Sequence, residues 1–102
     1  MTIDFHAEVD KRKEALMEDL FGLLRINSER DDSKADEKHP FGPGPVKALE
    51  HFLALAERDG YKTRNIDNYA GDFEFGQGDE VLGIFAHLDV VPAGSGWDTD
   101  PY

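Results

Sequence analysis

Val81-Leu82-Gly83-Ile84-Phe85-Ala86 is an unbroken apolar run. A run of this length suits a β-strand buried on both faces. Such a strand needs a layer of structure on each side, and that demand points to an α/β sheet. The segments upstream must supply those layers.

They read as two helices and two further strands. Over residues 5–26, Leu16, Leu20, Leu23 and Leu24 fall on one helical stripe with Met17 and Phe21 beside it. Asp4 or Asp10 is placed to cap the start. Residues 27–44 are polar and then rich in breakers (His39-Pro40-Phe41-Gly42-Pro43-Gly44-Pro45), so they read as a long loop. Pro45 suits the first position of a second helix, whose buried face is Val46, Leu49, Phe52, Leu53 and Ala56. Gly60 stands where a left-handed cap closes that helix. Residues 61–66 and 69–75 alternate loosely as strands. Gly76-Gln77-Gly78-Asp79 has the chemistry of a hairpin turn leading into the buried run.

The expected architecture is therefore α/β, with two helices followed by about three strands. At 102 residues the chain fits one small domain or part of a larger one, with no linker or second domain inside it. Two helices and three strands cover a doubly buried sheet only in part.

Composition narrows the function classes. The net charge of −11 is unfavourable for a polyanion such as nucleic acid, and its field attracts cations, metal ions included. With no cysteine there is neither a disulfide nor a thiolate metal site. The mean hydropathy is −0.57, and the apolar runs fall far short of the roughly 20 residues that span a bilayer. The first sixteen residues lack a signal peptide's apolar centre, which points to the cytoplasm.

Chemistry concentrates after the buried run. His87 and Asp89 stand at its C-terminal end, where α/β sheets place ligands. A spacing of two puts both side chains on one side of a strand. A neutral imidazole binds zinc, and a nearby carboxylate can fix its tautomer. Spacing alone leaves two readings open: a hydrogen-bonded histidine at a strand end, or a metal ligand with its orienting partner.

The surrounding residues add a resemblance. His87-Leu88-Asp89-Val90-Val91-Pro92-Ala93-Gly94, then Gly96-Trp97 and Asp100-Pro101-Tyr102, closely resemble the HxDVVPxGxGWxxxPF signature of the co-catalytic metallopeptidases. That group includes aminoacylases, succinyl-diaminopimelate desuccinylase and carnosinase-like dipeptidases. Phe41-Gly42, Gly44-Pro45, Ala48-Leu49 and Tyr69-Ala70-Gly71 resemble its bacterial PepV-type dipeptidase branch.

The resemblance implies the N-terminal part of a three-layer α/β/α zinc-exopeptidase catalytic domain acting on dipeptides. His87 is then a ligand to one of two zinc ions, and Asp89 is the catalytic aspartate that orients it. A bridging aspartate, a general-base glutamate and the other ligands are implied beyond Tyr102, so these 102 residues are expected to be inactive alone. Three departures stand out. Ser95 stands where many relatives have an acidic residue, Tyr102 where Phe is usual, and Asn27-Ser28-Glu29 replaces a more general Pro-Ser-Val run near the first helix.

Other candidates are weaker. His6, His39 and His51 have no partner at metal spacing, and surface or capping roles suit them better. Asp31, Asp32, Asp36 and Glu37 lack the spacing of a calcium loop and read as a solvated acidic stretch. Trp97 reads as packing after the Gly94–Gly96 turn. A different class of reading is a non-catalytic remnant acting as an association module, since uncovered sheet edges favour self-association. A metal buffer built on one histidine has too few ligands.

Overall fold

Helix α1 (Phe5–Leu24) opens a computed structural model that describes residues 2–102. A 3₁₀ turn follows at Asp32–Lys34, then helix α2 (Pro43–Arg58) and strands β1 (Thr63–Ile66) and β2 (Ala70–Phe73). Two helices and a two-stranded antiparallel sheet make this an α/β chain. No described helix is long and apolar enough to cross a membrane.

Asp4 is the residue that caps α1: its side chain accepts the Ala7 N–H at 3.1 Å. Glu8 in the first turn pairs with Lys11 and Arg12. The leucine stripe forms as the spacing predicts, yet none of the helix's side chains is buried. Side-chain contacts tie α1 to α2. Arg58 grips Asp19 through two parallel hydrogen bonds of 2.8 and 2.9 Å. Gly22 lies against His51, where a Cβ would come within 2.9 Å of the imidazole.

Helix α2 carries the core. Val46, Ala48, Leu49, Leu53 and Ala56 are its buried apolar residues, and Phe52 is half-buried against Phe73. The helix starts two residues before Pro45, because Gly42 turns the chain at φ 95° and Pro43 takes the first helical position. Gly44 permits a close approach there: a Cβ would lie 2.2 Å from the Asn27 carbonyl oxygen. At the other end Gly60 has φ 91°. Its N–H bonds to the Glu57 carbonyl and that of Tyr61 to Ala56, which is a Schellman closure.

The hairpin turns at Asp67-Asn68, not at Gly76–Asp79. Both residues have positive φ (51° and 62°), as a type I′ turn requires. Asn65 and Asn68 bond side chain to side chain across the turn, and the Asn68 amide also donates to the Lys38 carbonyl at 2.7 Å. The register pairs Thr63 with Phe73 and Ile66 with Ala70. Gly71 lets β2 press onto α2, its missing Cβ position only 2.9 Å from Leu49.

The third expected strand does not form. Residues 81–89 have no regular structure, and Val81, Leu82 and Ile84 are 87% exposed and Phe85 97%. A strand apolar on both sides is stabilised only when both sides are covered. Helix α2 packs on β1 and β2, and the described residues bury neither face of the run. The molecule is correspondingly spread out: its radius of gyration is 16.5 Å, against about 13 Å for a compact domain of this length.

Candidate functional site

With no strand beneath it, the His87–Asp89 motif is held by the loop that follows α1. Ser28 is 2% exposed, and its hydroxyl donates to the Leu88 carbonyl at 2.9 Å. Glu29 and Val90 form a parallel bridge, in which the Ser28 carbonyl accepts the Val90 N–H at 3.5 Å. One carboxylate oxygen of Glu29 accepts both the Ala93 N–H at 3.1 Å and the Tyr102 hydroxyl at 2.6 Å. Two of the departures from the signature thus meet in one hydrogen bond.

That bond sets the electrostatics of the loop. The Tyr102 hydroxyl, with help from the Ala93 amide, holds the Glu29 carboxyl below its ordinary pKa, against partial burial and the Asp31 charge. The same bond pushes the Tyr102 phenol above its ordinary value. Trp97 joins the same stretch, its indole N–H donating to the Ala93 carbonyl at 2.9 Å.

His87 and Asp89 come together, though not on a strand. The His87 Nδ1 lies 3.0 Å from the Asp89 backbone carbonyl and 3.2 Å from its carboxylate. A carbonyl oxygen only accepts, so this contact places the proton on Nδ1. Nε2 then carries the lone pair, and it has no hydrogen-bond partner among the described residues. The side chains are 84% and 58% exposed. Beside them a cleft of about 810 Å³ opens between the hairpin and residues 84–89, walled by Phe41, Leu49, Tyr69, Phe73 and Ile84.

An unengaged imidazole nitrogen with its opposite nitrogen fixed suits one zinc ligand. Zinc centres take three or four protein ligands. Among the described residues no group of three or more His, Cys, Asp or Glu side chains is placed to hold a metal ion. The donor set fits one ligand of a larger site.

Several of the remaining candidates are engaged locally. His39 bonds through Nδ1 to Asp36 at 2.8 Å, closing a turn. Asp31 accepts from Ser33, and Asp32 pairs with Arg30. Asp36 also takes the Lys38 and His39 amides. These acidic side chains organise their own loop. Sequence reasoning passed over Ser28 and Glu29 as supports. No local signal marks them, since Glu29 meets Tyr102 across 73 positions of sequence.

Comparison with known proteins finds several relatives that carry one name, putative dipeptidase. The chain is 50% identical over 95 residues, 93% of its length, to a protein named putative dipeptidase in Staphylococcus haemolyticus. The same identity and coverage relate it to proteins of that name in Staphylococcus saprophyticus and Staphylococcus aureus strain USA300. The chain spans about a fifth of the length of these curated relatives. No protein-family model matches it.

Proposed function

We propose that this chain supplies the first metal motif of a two-zinc, PepV-type dipeptidase that works in the cytoplasm. The observation that carries the reading is the His87 ring, fixed at Nδ1 by Asp89 with Nε2 free, inside a stretch half-identical to proteins named dipeptidases. In this reading His87 holds one zinc ion through Nε2, and Asp89 orients the ring. Zinc, when bound, polarises a carbonyl and lowers the pKa of water. The chain's own part is to aim one imidazole, to engage its Nδ1 so that Nε2 faces away from the Asp89 carbonyl, and to wall one side of a cleft whose volume suits a small ligand.

The test is a chimera in which this chain replaces the matching stretch of a staphylococcal relative. The chimera is expected to hydrolyse dipeptides with zinc, and His87→Ala to abolish turnover. The isolated chain is expected to show none. A His87→Ala chimera with full activity overturns the reading.

A second reading has its own observation. The exposed Val81–Phe85 segment supports self-association, since apolar segments with unpaired backbone seek partners. Light scattering of the isolated chain tests it, and a monodisperse monomer at all concentrations removes it.

A further inference from the structure

Ser28 and Glu29 touch the motif backbone at Leu88, Val90 and Ala93, and reach on to Tyr102. The first two contacts flank Asp89. This matters because the nearer of the two Asp89 oxygens on His87 Nδ1 is the main-chain carbonyl, at 3.0 Å against 3.2 Å for the carboxylate. A side-chain acceptor could follow a moving ring by changing rotamer. A main-chain carbonyl stays aimed only while the peptide units around it are held.

Residues 81–86 do not hold them, being irregular and exposed. The restraint comes from the other side. Ser28 fixes Leu88 and Val90, and Glu29 fixes the outgoing chain at Ala93 and Tyr102 through a single oxygen. Charged acceptors make the stronger hydrogen bonds, so the carboxylate suits this double duty better than a neutral group.

We infer that Glu29 is a positioning residue for His87: by tying down Ala93 and Tyr102 it keeps the Asp89 carbonyl on Nδ1 and so holds the ring in the tautomer whose Nε2 can take a divalent metal ion. The inference deepens the metal-ligand reading above and rests on it for its purpose, but the tautomer can be read without metal.

The experiment is ring-nitrogen NMR of His87 in the full 102-residue chain at mildly alkaline pH. The native chain is expected to show mainly the Nδ1–H form. Glu29→Val is expected to lower the ratio of Nδ1–H to Nε2–H severalfold. Glu29→Gln, whose amide oxygen accepts at the same place, is expected to restore most of it. Methyl shifts of Leu49 and Leu53 report whether the α2 core is intact in each variant. In the zinc-loaded chimera, Glu29→Val is expected to weaken zinc binding by about tenfold, the usual size of an outer-shell loss. An unchanged His87 ratio in a folded Glu29→Val chain overturns the inference, and so does a native ratio already favouring Nε2–H. A moved ratio with an inactive chimera instead counts against the dipeptidase reading alone.

Discussion

The Tyr102 hydroxyl donates to the Glu29 carboxylate at 2.6 Å, across 73 positions of sequence. Each residue shifts the other's titration in the direction that favours the bond. Glu29 is held below its ordinary pKa by Tyr102 and then Ala93, and Tyr102 is raised by Glu29.

The pH dependence follows with opposite signs. A depressed carboxyl contributes stability above its unfolded value, about 4.3, and loses it as pH falls through the lower folded value. A raised phenol contributes below its unfolded value, about 10, and loses it as pH rises through the higher folded value. The clamp is expected to open in strong acid and in strong alkali. Trp97, the single tryptophan, bonds to Ala93 and reports the change in its emission. In Glu29→Val both transitions are expected to vanish.

Two glycine substitutions on helices should differ in sign. Gly44→Ala drives a Cβ to 2.2 Å from the Asn27 backbone oxygen, which cannot step aside. A loss of about 1–3 kcal/mol is expected, the range of an overpacked site. Gly22→Ala meets only the His51 ring at 2.9 Å, and that ring can rotate away. Its gain in helix propensity, up to about 1 kcal/mol, should dominate. Urea denaturation of both variants checks the pair.

Asn68 serves the hairpin twice, by its left-handed backbone and by its bond to Lys38. Asn68→Gly keeps the turn and loses the tie. Asn68→Ala loses the tie and adds left-handed strain of about 1–2 kcal/mol. Thermal melts are expected to rank the native chain above Gly and Gly above Ala.

Exposure of the apolar run predicts early proteolysis. Brief chymotrypsin treatment is expected to cut at Phe85 or Phe75, both almost fully exposed, before any bond within α2. Ile84→Lys is expected to reduce concentration-dependent light scattering, because a charge opposes edge pairing. Equal scattering from both chains argues against association through this run.

The helices were legible because 3.6-residue periodicity and capping are local properties. Asp4, Pro43 to Pro45 and Gly60 each act within a turn of their own position. The hairpin was placed too late, since Gly76–Asp79 looked like the better turn, while Asp67-Asn68 uses two non-glycine residues at positive φ. The run at 81–86 was read as a buried strand, and no strand forms there. A strand apolar on both faces needs both covered, and the described residues leave Val81, Leu82, Ile84 and Phe85 almost fully exposed. His87 and Asp89 were legible as a motif. Their holder was not, because Ser28 and Glu29 act from some sixty positions away and no local pattern marks them.

That separation carries a kinetic consequence. The helices and hairpin close over a few residues, whereas the Ser28–Leu88 and Glu29–Ala93 contacts close loops of 60 and 64. Loop-closure entropy delays such contacts, so they form after the local elements during refolding. They are also few, polar and near the surface, which makes them the first to open from the native state. The histidine end of this chain is thus its last-folding and first-released part, and hydrogen exchange should find Val90 and Ala93 turning over while α2 remains closed.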